Sequence, residues 1–207
     1  MFGISSAAST GPQITYEQGQ EFLDKADIRD IPVLINQDVL KQLNHYLNTE
    51  VGKKELKDSL QQMENEKNLV YEYLDRYQLP RALSAVPIVE SGYLNTPQKE
   101  GFVGAGLWMF IKETAHNWGL LVNSTKDERL DKEKATDAAM RLLKALHLRF
   151  KDWGLALLAY NAGEEKVQNG IHKTESRDVW TLIHHGYQGD ADYLAKVYAA
   201  LLLMKKD

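Results

Sequence analysis

Apolar positions recur along most of this chain with the period of a helix. In Lys67–Tyr77, Val70, Tyr73, Leu74 and Tyr77 share one face at i, i+3, i+4 and i+7. Pro80 breaks that stripe, and Ala82, Ala85, Val86 and Val89 begin another. Trp108, Ile111, Ala115 and Trp118 predict a helix over 106–119, with Gly119 as its C-cap. Ala139, Leu142, Leu143, Leu146 and Phe150 set against Arg141 and Lys144 predict an amphipathic helix over 136–150. Residues 153–162 are apolar nearly all round, the mark of a buried central helix. Leu194, Val197, Tyr198 and Leu201 place a last helix within 190–205.

No run of alternating β-branched residues with hairpin turns appears, nor any internal repeat, so the fold class is all-α, mostly helical. The irregular run 92–105 is the place for a loop or a small β excursion. The pattern divides the chain into three parts. Residues 1–35, with Gly, Pro, Ser and Thr and no sustained periodicity, read as an extended or loosely packed lead-in or linker. Residues 36–79 read as a helical prefix packing on the rest, and 80–207 as the main domain.

Composition narrows the function classes. The 207 residues suffice for one domain with a sizeable core. Hydrophobic residues at 43% and charged residues at 26% are ordinary for a soluble globular protein. With 25 basic against 29 acidic residues, the net charge of −4 argues against nucleic acid as the main partner. The absence of cysteine excludes disulfides and a lipid-accepting thiol. No apolar stretch approaches the ~20 residues that span a bilayer. Met1–Gly11 lacks a basic start and does not read as a complete signal peptide.

Several chemistries fail on spacing. The histidines at 45, 116, 147, 172, 184 and 185 form no i, i+4 pair and no H-E-x-x-H, so no metal site is expected. Gly101, Gly104 and Gly106 do not follow the dinucleotide fingerprint, and there is no G-x-S-x-G elbow. What remains is acid–base chemistry of a carboxylic acid, with no cofactor.

Three segments carry it. In Val86-Pro87-Ile88-Val89-Glu90-Ser91-Gly92-Tyr93 a glutamate closes an apolar helix. Desolvation and the negative end of the helix dipole both disfavour its ionised form, so it can stay protonated near neutrality and donate to a glycosidic oxygen. The same residues also fit a solvent-facing glutamate at a helix end. Gly104-Ala105-Gly106-Leu107-Trp108-Met109-Phe110 is a glycine-lightened turn entering an aromatic stretch, where Trp108 and Phe110 suit either sugar faces or the core. Ala159-Tyr160-Asn161-Ala162-Gly163 ends the buried helix with a hydroxyl and an amide that an apolar helix does not need. These two orient a neighbouring acid, or else they form a C-cap with Gly163.

Taken together, the three segments resemble the SLT-type lytic transglycosylases of goose-lysozyme-like fold, in particular the membrane-bound lytic murein transglycosylase D-like branch. That family's pattern runs E-S-G, then G-x-x-G-L-W-Q, then A-Y-N-A-G. The likeness extends over about residues 38–205, through Asp127-Glu128-Arg129-Leu130-Asp131, Lys151-Asp152-Trp153 and Arg177-Asp178-Val179-Trp180.

The resemblance implies a lysozyme-like SLT domain that cleaves the MurNAc–GlcNAc β-1,4 bond of peptidoglycan and forms 1,6-anhydroMurNAc. Glu90 would be its single acid/base, with the substrate's N-acetyl group replacing a second carboxylate. Tyr160 and Asn161 would contact Glu90 and the acetamido group, Ser91 would be a nearby supporting donor, and Trp108 would be mostly structural. Met109 stands where the family usually has glutamine. Lys99 or Glu100 stands where a serine positions the acid, so that Glu100 would raise the pKa of Glu90 and Lys99 would lower it. The family's Pro-x-Glu-Thr before the last helix is replaced by Gln188-Gly189-Asp190-Ala191.

The expected set is therefore Glu90 as catalytic residue, with Ser91, Glu100, Met109, Tyr160 and Asn161 at the substrate. The expected partners are peptidoglycan glycan strands in the periplasm or cell envelope. Two other readings fit the same residues: a goose-type hydrolytic lysozyme, and a peptidoglycan-binding or scaffold domain with weakened or lost catalysis.

Overall fold

The computed structural model describes residues 12–26, 28, 31–190 and 192–204. The expectations for Met1–Gly11, Ala191 and Lys205 lie outside the described residues. Helix α1 (Tyr16–Lys25) forms inside the expected lead-in and corrects it. Its driver is a capping box: the Thr15 hydroxyl accepts from the Gln18 N–H while the Gln18 side chain accepts from the Thr15 N–H. Phe22 and Leu23 then pack on the core.

Helix α2 (Gln37–Asn48) starts at the Asn36 cap, and α3 (Glu50–Tyr77) starts at Thr49, which also closes α2. The corner is tight, with the Thr49 hydroxyl donating to the His45 carbonyl at 2.8 Å. Left-handed Gln78 and then Pro80 end α3, and a 3-10 turn (Arg81–Ser84) runs into the short helix α4 (Ala85–Ser91). Tyr93, just past α4, is 2% exposed and donates its hydroxyl to the Ser84 carbonyl at 2.8 Å. Tyr93→Phe leaves that buried carbonyl without its partner. It should lower stability by about 1 kcal/mol, read as a lower urea midpoint at unchanged slope.

The helix expected over 106–119 is corrected to a hairpin followed by a short helix. Strands β1 (Gly104–Ala105) and β2 (Phe110–Ile111) pair antiparallel, Gly104 opposite Ile111 and Ala105 opposite Phe110, and α5 (Lys112–Asn117) begins only afterwards. Gly106 has φ +78°, and a Cβ there would lie 1.9 Å from the Arg129 carbonyl oxygen. Only glycine fits that close a backbone approach. With Met109 also left-handed, the apolar spacing around Trp108 belongs to a turn rather than a helix.

Helix α6 (Lys132–Phe150) is capped by Asp131, and α7 (Trp153–Ala162) by Asp152. Leu155, Ala156, Leu157 and Leu158 of α7 are fully buried. Around it pack α6, α8 (Glu164–Thr174), α9 (Val179–His184) and α10 (Tyr193–Leu203). The all-round apolar character of 153–162 thus reflects a helix with neighbours on every side. Among the described residues no helix is long and apolar enough to cross a membrane.

Candidate active site

Glu90 lies in the last turn of α4, which left-handed Gly92 terminates. Two cavities meet at its side chain. The first, about 660 Å³, runs between α3, α4 and the 94–102 loop, and the second, about 550 Å³, between the hairpin, α5 and the end of α7. Glu90, Phe102, Gly104 and Met109 belong to both. The result is one groove in two lobes with a single carboxyl group at the joint. The exposed side chains Phe102 and Val103 stand on its rim.

Burial pushes the Glu90 carboxyl up to about 7 from an ordinary 4.5; the hydroxyl of Tyr193 opposes the rise and the charge of Asp190 adds to it. The Tyr193 hydroxyl is buried and meets no partner at full hydrogen-bond geometry, so its contact with Glu90 is looser than a formed bond. Burial, and then the charge of Glu90, hold the hydroxyls of Tyr160 and Tyr193 well above the usual tyrosine value, so both remain neutral donors. At the joint of the two lobes the group able to give up a proton near neutrality is therefore Glu90 and neither tyrosine.

The other expected residues divide. Tyr160 donates to the Trp108 carbonyl at 2.8 Å, which fixes its ring against the hairpin in the second lobe. Asn161 lines that lobe too, but its Oδ1 accepts from the Asp190 N–H at 2.8 Å and clasps the loop before α10. Ser91 lines the first lobe, yet its hydroxyl donates to the Leu107 carbonyl at 2.8 Å and ties α4 to the hairpin. Met109 presents its side chain to both lobes. Trp108 is 1% exposed and donates its indole N–H to Thr136 Oγ1 at 3.0 Å, a core role.

The expectation for Lys99 and Glu100 divides: on a turn closed by the Phe102 N–H on the Lys99 carbonyl, Lys99 lines the first lobe with Glu90, whereas Glu100 is exposed and lines neither lobe. The charge that reaches Glu90 is that of Asp190. Asp190, Tyr193 and Lys196 were absent from the sequence-derived set. The changed 188–191 segment was the available signal for Asp190. A tyrosine on the apolar face of the last helix carried none.

Such geometry defines a class: a mostly helical domain that keeps one carboxylic acid protonated over a two-lobed groove. The chain belongs to the transglycosylase SLT domain family, whose pattern matches residues 68–183. Over 109 residues, half of this chain, it is 35% identical to the membrane-bound lytic murein transglycosylase D of Escherichia coli K12. Over 105 residues it is 29% identical to a putative tributyltin chloride resistance protein of Alteromonas sp.. The chain spans about a quarter of the first relative (24%) and half of the second (50%). In fold it is similar to an inactive mutant of the lytic transglycosylase Slt from Pseudomonas aeruginosa. The TM-score is 0.52 at 18% identity, over 65% of this chain and 23% of that one.

Proposed function

We propose that this chain is a peptidoglycan lytic transglycosylase that cleaves the MurNAc–GlcNAc β-1,4 bond and closes the MurNAc end into a 1,6-anhydro ring. The observation that carries this reading is Glu90, held protonated near neutrality at the joint of the groove. The glycan strand lies through both lobes with its scissile oxygen at Glu90. The acid donates its proton to the leaving O4 as the C1–O4 bond breaks, and the substrate's N-acetyl oxygen closes on C1. The Glu90 carboxylate then takes the proton of the MurNAc 6-hydroxyl as that oxygen displaces the acetamido group. This step returns Glu90 to its acid form without a water molecule.

Tyr193, a neutral donor beside Glu90 whose hydroxyl has no other formed partner, stabilises the carboxylate that exists between the two steps. Met109 offers an apolar surface to both lobes, which suits the acetamido methyl and the lactyl group of the substrate. The substrate places the work in the cell envelope.

Mass spectrometry of purified peptidoglycan digested with wild type and with Glu90→Gln tests the reading. Anhydromuropeptides from wild type alone are the expected result. Reducing ends in their place would make the protein a hydrolase of the goose-lysozyme type. Intact sacculi that both proteins bind would make it a scaffold and overturn the enzyme.

A further inference from the structure

Another cavity lies away from the groove and shares no lining residue with it. It measures about 1010 Å³, larger than either lobe, and sits where α3 passes through Pro80 into the 3-10 turn and α6 passes into α7. Trp153 opens α7 at this cavity and Asn161 lies at its other end in the groove, so ~15 Å of helix separates the two sites. Lys144, His147, Leu148 and Lys151 all line the cavity, at i, i+3, i+4 and i+7 along the end of α6 and its cap.

That face is basic at both ends and apolar between. Lys144 and Lys151 are exposed, and neither forms an ion pair among the described residues. Lys144 donates one hydrogen to the Tyr77 carbonyl at 3.1 Å, which leaves two for a ligand. Arg81 also lines the cavity, but Asp75 takes its guanidinium at 3.0 and 2.6 Å. The acidic lining residue, Asp152, is held as the cap of α7, accepting from the Leu155 N–H at 2.7 Å. Between the lysines the His147 ring stacks on Trp153, with centroids 4.0 Å apart and planes 10° apart, and Leu148 is 55% exposed. Burial, and then the charge of Lys151, lower the pKa of His147, so near neutrality the stack is uncharged.

We infer that this cavity binds the stem peptide of a neighbouring peptidoglycan strand, with Lys144 and Lys151 holding two of its carboxylates and the chain between them lying over Leu148 and the His147–Trp153 stack. The inference rests on the reading of the protein as a peptidoglycan enzyme; charge and length select the occupant. Seven residues of helix place the two lysines ~10 Å apart. An extended peptide of three residues also spans ~10 Å, and in a stem peptide of that length the γ-linked glutamate and the terminal residue each carry a carboxylate. A peptide of that reach, borne by the strand in the groove, does not cross the ~15 Å of α7, so the occupant belongs to a second strand. The enzyme is thereby held between two strands while it works on one.

Nitrogen-15 NMR titration of the chain with acetyl-L-Ala-γ-D-Glu-meso-diaminopimelate tests the site. The expected result is displacement of the amide signals of 144–153 and of the Trp153 indole, with those of the groove unmoved. Lys144→Gln and Lys151→Asn remove the charges and keep polar groups, and asparagine tolerates the left-handed backbone at 151, φ +53°. Each should weaken binding about threefold and the two together about tenfold, with the amide spectrum verifying that the variants are folded. If the double variant fails to fold, the single variants and the loss of binding with added salt carry the same prediction. Signals displaced only in the groove, none displaced at millimolar peptide, or full affinity without the lysine charges overturns the proposal. Tighter binding of the α-linked peptide acetyl-Glu-Leu-Glu would assign the cavity to an acidic protein segment and overturn it too. The probe contains no glycosidic bond, so the titration answers even for a chain that cleaves nothing. Anhydro products without peptide binding remove only this inference, and peptide binding without cleavage removes only the transglycosylase.

Discussion

Glu90→Gln should yield a protein that cleaves peptidoglycan about 10³-fold more slowly than wild type and is also more stable above pH 7. The loss of rate follows from removing the carboxylic acid at the joint of the groove, whose burial lets it carry a proton near neutrality. Glutamine keeps the shape and the polar contact toward Tyr193 but donates no proton to a leaving oxygen.

The gain in stability follows from the same burial. The Glu90 carboxyl rises from 4.5 to about 7 on folding, so the folded chain holds that proton more tightly than the unfolded one. The stabilisation is complete below about pH 4.5 and is lost as pH rises through about 7, where folding must bury a carboxylate beside Asp190. The interval corresponds to about 3 kcal/mol, and contact with the solvent in the groove reduces it to about 2 kcal/mol. Glutamine carries no such cost. Thermal unfolding should place Glu90→Gln about 5 °C above wild type at pH 8 and level with it at pH 4. Equal melting temperatures at pH 8 would mean that Glu90 is hydrated and not primed as an acid. Retained cleavage would place the acid elsewhere.

What the sequence showed of this site depended on how far apart in the chain its parts lie. Glu90 was legible because a glutamate followed by Ser-Gly, at the end of an apolar helix, is a local pattern. Tyr160 and Asn161 were legible for a similar reason: polar groups ending the all-apolar helix 153–162 demand partners. Tyr193 and Asp190 reach Glu90 only through tertiary packing, from about a hundred residues downstream, and no local period marks them. The misreading of 106–119 has a physical cause too. Trp108, Ile111, Ala115 and Trp118 keep helical spacing, but left-handed Gly106 and Met109 turn the chain, and strand pairing places Trp108 in the core. Helix α1 was missed because its capping box, Thr15 with Gln18, outweighs a weak apolar stripe. Of Lys99 and Glu100, adjacent on one turn, only Lys99 lines the groove, and no local pattern distinguishes the two.

Replacing Arg129 should cost more stability than any other substitution considered for this protein, about 3–5 kcal/mol for Arg129→Met. The side chain is 1% exposed and its guanidinium works as a fork. Nε and Nη2 reach the two carboxylate oxygens of Asp127 at 2.8 and 2.7 Å, and Nη1 donates to the Phe110 carbonyl at 3.1 Å. Weaker contacts reach the Val103 carbonyl at 3.4 Å and Gln98 Oε1 at 3.3 Å. Methionine fills much of the volume but takes the guanidinium donors from the Phe110 carbonyl and from the Asp127 carboxylate, which keeps only the backbone N–H of residue 129 at 3.2 Å. Against a total of about 5–15 kcal/mol for a domain, that loss is severe. Its effect on function comes through the groove, since Phe102, Val103 and Phe110 wall the second lobe and Arg129 fastens the segment that carries them. Hydrogen exchange should therefore show β2 and the 98–103 loop opening first, and cleavage should fall at temperatures where the rest of the chain is still folded. Arg129→Lys restores a charge but not the fork, and should recover less than half of the lost stability. A urea midpoint for Arg129→Met within about 1 kcal/mol of wild type would show that the hairpin is held by packing around Trp108 alone.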